Sequence, residues 1–243
     1  MIPTSRIALV TGANKGIGLE IARQLAEAGV TVLVGARDAE RGGKAVKELS
    51  AEGLAATFVQ LDVVDEASVA AAAAVIADKY GRLDILINNA GIVDRTDNVP
   101  GRASLEAVRK VIETNFFGAL AVTQAMLPLL LKSKAARIVN LSSALGSLAG
   151  NGDPSSPYYS ARVIGYNASK AALNMLTVQL SAELRGTPHV VNSVSPGYVK
   201  TDLNGHSGFM TPEQGARTPV KFALLGDDAI SGGHFGPDGE IAW

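Results

Sequence analysis

Short apolar runs alternate along the chain with longer stretches in which apolar residues recur at helical spacing. Arg6-Ile-Ala-Leu-Val10 reads as a buried strand, and Ile17 to Ala28 as a helix closed by Gly29. Val30 to Val34 follows as a strand, Ala39 to Ala51 as a helix closed by Gly53, and Ala55 to Leu61 as a third strand. A helix from about Glu66 to Tyr80 is rich in alanine, which suits close packing. Leu83 to Ile87 and Arg137 to Leu141 are further strands, with helical segments across Leu105 to Leu131 between them. Tyr166 to Leu184 is a long helix, and His189 to Val194 the next strand. Repeated β-then-α order predicts an α/β fold: a doubly wound, mostly parallel sheet with helices on both faces and right-handed crossovers. No repeat or linker interrupts the pattern, so residues 1–243 are expected to form one domain. Two stretches are expected to be irregular, Ser147 to Gly165 and Asn204 to Gly215. Both follow strand ends, where open α/β sheets bind ligands.

Composition narrows the function classes. A net charge of −1 offers no basic field for nucleic acid or an anionic membrane. Cysteine is absent, which excludes disulfides, thiolate chemistry and cysteine-ligated metals. The three histidines, His189, His206 and His234, have no close spacing and no carboxylate cluster, so no metal site is expected. The most apolar stretch, Ala119 to Leu131, is 13 residues long and too short to span a bilayer. The start, MIPTSRIALVTG, lacks the features of a secretory leader, and a soluble cytoplasmic protein is the expectation.

Candidate chemistry lies at the predicted strand ends. Thr11-Gly12-Ala13-Asn14-Lys15-Gly16-Ile17-Gly18 joins the first strand to the first helix. Glycines there allow a tight turn and close approach of backbone to a pyrophosphate at a helix N-terminus; a plain glycine-rich turn is the bland alternative. The second strand ends Ala36-Arg37-Asp38. An arginine at this place accommodates the 2′-phosphate of NADP, whereas an acidic residue binds the ribose of NAD. Arg37 and Lys15 together can bracket a phosphate, and Asp38 either caps the next helix, the favoured reading, or contacts a ribose. Asp62, at the end of the third strand, is either an acceptor for an adenine amino group or a loop cap. Asn88-Asn89-Ala90-Gly91 closes the fourth strand with small residues, where backbone can lie beside a cofactor or simply turn. Ser142-Ser143 offers a hydroxyl to a carbonyl oxygen, or a pair of turn serines. Asn115 sits in a helical stretch that disfavours asparagine, so it is either a buried group with partners, structural or water-holding, or helix surface. Tyr166 and Lys170, spaced i and i+4, fall on one helix face. A nearby ammonium favours the ionised phenol, so the spacing predicts a tyrosine pKa lowered from about 10.

Taken together, Thr11 to Gly18, Asn88 to Gly91, Asn115, Ser143, Tyr166-x-x-x-Lys170 and Pro196-Gly-Tyr-Val-Lys-Thr201 resemble the short-chain dehydrogenase/reductase family, in order and over nearly the whole chain. Within it the chain is most similar to the NADPH-dependent carbonyl reductases. Shared features include Asn14 to Gly18, Ala36-Arg37-Asp38, Thr114 to Gly118, Thr211-Pro-Glu-Gln-Gly-Ala216 and Trp243.

The resemblance implies a Rossmann-type sheet and NADPH or NADP as cofactor. It makes Tyr166 the proton donor for ketone reduction and Ser143 the group that orients the carbonyl. Lys170 would hold the nicotinamide ribose and bias Tyr166, and Asn115 would anchor a water relay. It further implies cofactor contacts from Gly12, Asn14, Lys15, Gly16, Ile17, Gly18 and Arg37, and from Asp62, Val63, Asn89, Ala90 and Gly91. Pro196, Gly197, Val199 and Thr201 would close on the nicotinamide end. Positions 143 and 166 stand 23 apart, more than is usual in the family. Tyr158 and Tyr159 lie nearer the serine, but their i+4 partners are Arg162 and Val163, so Tyr166 is the tyrosine with a lysine. Longer insertions at this place accompany monomeric carbonyl reductases; the shorter one here leaves monomer, homodimer and tetramer open.

The expected activity is reversible reduction of a small-molecule ketone or aldehyde, with no nucleic-acid or membrane partner. Two alternatives stand beside it: an NAD-linked secondary-alcohol dehydrogenase, and a non-catalytic dinucleotide-binding sensor. Tyr, Leu, Val, Phe and Met in the segments flanking the site suggest an apolar or aromatic substrate.

Overall fold

Seven of the strands run parallel in one sheet, and the chain crosses from one half of it to the other beside β1. The computed structural model describes residues 5–226 and 229–243; Met1 to Thr4, within the stretch read for a leader, lie outside it. In chain order the elements are β1 (Ile7–Thr11), α1 (Gly16–Glu27), β2 (Thr31–Ala36), α2 (Ala39–Ala51), β3 (Ala56–Gln60), α3 (Glu66–Tyr80) and β4 (Ile85–Asn88). There follow α4 (Leu105–Ile112), α5 (Gly118–Leu130), β5 (Arg137–Leu141), α6 (Leu148–Gly152), α7 (Ile164–Glu183), β6 (Val190–Val194), α8 (Pro212–Ala223), β7 (His234–Gly236) and β8 (Gly239–Glu240). The strand order is β3-β2-β1-β4-β5-β6-β7-β8, with only the last pair antiparallel. The order reverses between β1 and β4, which opens a crevice at the carboxyl ends of those strands.

Alternate residues of the central strands face opposite layers. Ala8, Val10, Ile87 and Val139 pack with Ile21 and Leu25 of α1, Leu49 of α2 and Val220 of α8. Ile7, Leu9, Leu86 and Ile138 pack with Ile76 of α3, Met126 of α5 and Leu180 of α7. Strands covered on both faces read as continuous apolar runs, which is why β1 to β6 are recognisable in sequence.

The α7 face also carries a polar row. Asn88, Asn140, Ser193 and His234 occupy matched register positions on β4, β5, β6 and β7, and all four are buried. Asn88 Nδ2 donates to Asn140 Oδ1 (2.8 Å) and to Thr123 Oγ1 on α5 (2.9 Å). Asn140 Nδ2 donates to Thr177 Oγ1 on α7 (2.8 Å), and that hydroxyl shares a hydrogen bond with Ser193 Oγ (2.8 Å). Beside the row, Ser142 Oγ donates to Asn174 Oδ1 (2.6 Å) and Asn174 Nδ2 to the Gly146 carbonyl (3.2 Å). At the far end the His234 ring stacks on Trp243, with centroids 5.5 Å apart, and neither ring nitrogen finds a partner among the described residues.

Several expectations change. The helical stretch from Leu105 to Leu131 is broken by a π-helical turn, Glu113–Phe117, centred on Asn115. The segment expected as a loop from Asn204 to Gly215 already belongs to α8 from Pro212 onward. Proline is well placed at a first helical position, and Thr211 with Gln214 forms a reciprocal capping box. The Ser147 to Gly165 stretch contains the short α6, and α7 starts at Ile164, two residues before Tyr166.

Two stability predictions follow from the polar row. Asn140→Ala removes the acceptor of Asn88 and the donor to Thr177, and should lower unfolding stability by about 1–3 kcal/mol in urea titration. Burial pushes His234 down to about 4, below the roughly 6.5 of an unfolded histidine. The unfolded chain therefore takes up the proton first as pH falls, and His234 costs stability progressively from about pH 6.5 to pH 4. Thermal scans should show the wild-type Tm falling more steeply over that window than the Tm of His234→Gln; parallel curves would refute the assignment.

Candidate active site

The crevice beside β1 begins with the glycine turn. Gly12 and Gly16 have φ of 64° and 58°, a region side chains disfavour. A Cβ on Gly18 would stand 2.4 Å from Asn89 Nδ2 and 2.6 Å from the Gly12 carbonyl oxygen, so only glycine fits. Asn89 secures the turn from β4: its Nδ2 donates to the carbonyls of Thr11 (2.7 Å) and Gly12 (3.2 Å). The Asn89 and Ala90 N–H groups both donate to Thr11 Oγ1 (3.0 and 2.9 Å). Ile17 packs on the α1 core layer, and Asn14 is half-buried in the turn. Helix α1, with Lys15 at the N-cap position, has no side-chain cap among the described residues and no acidic residue in its first turn. Its leading N–H groups and positive dipole end are thus available to an anion.

At the end of β2, Arg37 is exposed and makes no hydrogen bond or ion pair among the described residues. Asp38 has the capping role: its Oδ1 accepts from Arg41 N (2.9 Å) and its Oδ2 pairs with Arg41 Nε (3.0 Å). Lys15 is turned toward Asp202 rather than standing free beside Arg37, with Nζ 2.5 Å from Oδ2. An exposed ammonium takes the nearest carboxylate, and such a pair is worth about 0–1 kcal/mol. Asp202 also contacts His206 Nε2 (2.9 Å). Asp62 behaves as a loop cap, with Oδ1 accepting from Val64 N (3.3 Å), while Val63 is buried against Gly118 of α5.

The segment after β6 reaches back to the same turn. A Cβ on Gly16 would lie 3.9 Å from Thr201 Cγ2. Gly197, next to Pro196, has φ of 86°, and a Cβ there would meet Met210 Sδ at 2.5 Å. Val199 is buried, bridged to Met210, and its carbonyl accepts from Asn204 Nδ2 (2.9 Å).

Across the crevice, α7 carries Tyr166 and Lys170 to the end of β5. The two serines there diverge: Ser142 points into the polar seam with Asn174, while Ser143 is half-buried, continues the extended backbone and stands beside Tyr166. Lys170 is buried and Nζ donates to the Leu141 carbonyl (2.7 Å), lying 5.6 Å from the Tyr166 ring centroid. Asn115, fully enclosed, donates from Nδ2 to the Ile92 carbonyl (2.9 Å) and to Ser169 Oγ (3.0 Å), and accepts from Ile92 N at Oδ1 (2.8 Å). A Cβ on Gly91 would stand 3.4 Å from Asn115 Oδ1 and 3.6 Å from Lys170 Nζ. The bare glycine therefore leaves one small space shared by the amide oxygen and the ammonium.

The electrostatics reverse one expectation. Burial pushes the Tyr166 phenol up to about 12, with the Ser143 hydrogen bond pulling more weakly the other way. Burial also pushes Lys170 down to about 8. Spacing places a lysine beside a tyrosine, but desolvation disfavours the charged form of both and outweighs their mutual attraction. The outcome is a phenol that stays protonated through the neutral range, suited to giving a proton rather than taking one.

The structure thus gathers Asn115, Ser143, Tyr166, Lys170 and Gly91 in one place, and the glycine turn, Asn89 and Thr201 in another beside it. The residues fit a dinucleotide: an uncapped helix start and positive-φ glycines for phosphates, a free guanidinium at the end of β2, and a bare Gly91 beside Lys170. Sequence spacing alone leaves out Asp97. Its buried carboxylate accepts from the Gly165 and Tyr166 N–H groups, far away in the chain.

Comparison with known proteins agrees with this layout. The family model for short chain dehydrogenase matches residues 6–209. The chain is 35% identical to (-)-isopiperitenone reductase of Mentha piperita, over 100% of its own length and 99% of the relative. It is 36% identical to carbonyl reductase [NADPH] 1 of Sus scrofa, over 99% and 93%. The crystal structure of NADPH-bound carbonyl reductase from chicken fatty liver superposes with a TM-score of 0.84 at 30% identity, covering 98% of this chain and 99% of that one. With its sheet order, glycine turn and gathered serine, tyrosine and lysine, the chain belongs to the short-chain dehydrogenase family and is an oxidoreductase.

Proposed function

We propose that the protein, acting as one domain over residues 1–243, reduces ketones or aldehydes to alcohols with NADPH as the electron source. The observation that carries this reading is Tyr166, buried beside Ser143 with the enclosed Lys170 against its ring. Bound NADPH would supply the hydride. The Ser143 hydroxyl donates to the substrate carbonyl oxygen and fixes its direction, while Tyr166 delivers the proton to that same oxygen as negative charge develops on it. Lys170, anchored on the Leu141 carbonyl, keeps the region beneath Tyr166 positive and offers its remaining donors to a ribose. Asn115 holds the backbone at Ile92 and borders the space at Gly91, where a water can link it to Lys170.

NADPH in place of NADH is supported by Arg37, exposed at the end of β2 with no partner among the described residues, by Asp38 being occupied as a cap, and by the NADPH enzymes among the relatives. Lys15, now paired with Asp202, would join Arg37 in holding the 2′-phosphate. An apolar or aromatic carbonyl substrate is supported by the exposed Val93, Leu148, Tyr198 and Phe209, on segments flanking the site. A cytoplasmic location is kept with this reading, on the ordinary charge balance and cysteine-free sequence.

Tyr166→Phe should reduce kcat for ketone reduction by about 10²-fold or more while NADPH still binds. Near wild-type NADPH oxidation by that variant, with any accepted ketone, would sink the assignment. Arg37→Ala should raise the KM for NADPH by about tenfold or more and leave that for NADH within about twofold. Equal effects on the two cofactors would refute the phosphate-binding role.

A further inference from the structure

Helix α7 begins without a cap of its own, since Val163 at the N-cap position makes no side-chain hydrogen bond. Its leading N–H groups are nevertheless all paired. Ile164 N–H donates to the Asn98 carbonyl (3.1 Å), Gly165 N–H to Asp97 Oδ1 (2.9 Å) and Tyr166 N–H to Asp97 Oδ2 (2.8 Å). Asn167 N–H then makes the first bond within the helix, to Val163 O (2.9 Å). Asp97 is 6% exposed and comes from the segment after β4. The turn that presents it is built for the purpose: Asp94 accepts from Thr96 N and Thr96 Oγ1 and pairs with Lys110 of α4, and Asp97 N donates to the Asp94 carbonyl. Gly165 permits the close approach, because a Cβ there would stand 3.0 Å from Asp97 Oδ2 and 3.1 Å from Val108 Cα.

We propose that Asp97 is a positioning residue for Tyr166, fixing where the phenol stands against Ser143 for proton delivery. The inference rests on the reading of Tyr166 as the proton donor. Both carboxylate oxygens grip consecutive N–H groups, the second belonging to Tyr166 itself, so a shift of Asp97 moves the tyrosine directly. The charge acts as well. Tyr166 is the third residue of α7, and side chains in a helix lean toward its N-terminus. The positive end of the helix favours an anion there, which for Tyr166 means phenolate. The Asp97 carboxylate stands against that positive end and offsets its field at the first turn. The other charged groups around this turn are Lys170 one turn along the helix, Asp94 and Lys110 paired with each other, and Arg162 stacked on Tyr159.

The test uses the full chain with NADPH and acetophenone, or another aryl ketone that the wild type reduces. Asp97→Asn keeps the shape but loses the charge and sets an amide N–H₂ against a backbone donor. Its kcat should fall by about 10- to 100-fold, with the ketone KM and the NADPH dissociation constant, measured by fluorescence, within about twofold. Asp97→Glu keeps the charge but is too long to span both N–H groups, so its kcat should also fall, with the ketone KM again within about twofold. An Asp97→Asn protein with lowered Tm but wild-type kcat would mean a structural cap only, and would overturn the inference. Should Asp97→Asn fail to fold, wild-type kcat in Asp97→Glu overturns it equally. Tyr166→Phe separates the two levels. If that variant still turns over, the underlying reading fails; if it is inactive while Asp97→Asn behaves as wild type, the positioning role alone fails.

Discussion

A buried ammonium whose hydrogen bond goes to a backbone carbonyl is the constraint around which this structure is arranged. Taking the charge of Lys170 out of water is costly unless the groups around it are fixed in place. No carboxylate hydrogen-bonds Lys170 among the described residues, and its lowered pKa has burial as its cause. The compensation therefore has to come from rigid placement, with the last carbonyl of β5 presented to Nζ by a strand that cannot move. Helix α7 must lie at one height against the sheet for that contact to form. The seam through Asn140, Thr177 and Ser193, with Ser142 and Asn174 beside it, sets that height.

The same seating carries Ser143 to Tyr166. The short turn after β5 touches α7 at Gly146, where a Cβ would lie 2.8 Å from the backbone carbon of Lys170. Neither partner can be displaced without moving the other, so the serine and the tyrosine are referenced to one shared contact. On the opposite wall, the π-helical turn rotates Asn115 inward to grip both the N–H and the carbonyl of Ile92. That grip holds the start of the segment that continues to Asp97 and the first turn of α7. Two elements far apart in sequence, the β4 loop and the α7 start, thus form one unit around the tyrosine.

Much of this is legible in the residues alone. Strands β1, β2, β4, β5 and β6 are almost wholly buried and appear as apolar runs, and α1, α2 and α3 end within two residues of Gly29, Gly53 and Gly81, as helix ends commonly do. The Ser143, Tyr166 and Lys170 set is likewise readable, because strand ends and an i,i+4 spacing leave local marks. Long-range properties leave none. Asp97 caps a helix whose first bonded residue lies 68 positions away, and no spacing rule links them. The direction of the Tyr166 shift depends on how deeply the pair is enclosed, which a helical face does not reveal. Strands β7 and β8 are too short to show a period, and α8, with prolines at 212 and 219 and a glycine at 215, looks like loop until its capping box is recognised.

The polar row across the sheet bears on how the strands find their partners. Parallel strands made of valine, isoleucine and leucine present much the same apolar surface at many offsets, so packing alone discriminates poorly between them. Side chains alternate faces, so a slip of one residue in β5 would swing Asn140 away from Asn88 and Thr177 and into the layer that Val139 and Leu141 share with α1 and α8. An amide stranded there would forfeit its hydrogen bonds, whereas a slipped valine would forfeit little. Asn88, Asn140 and Ser193 therefore act as index marks along otherwise interchangeable strands, penalising the misaligned sheets that a purely apolar interior would tolerate.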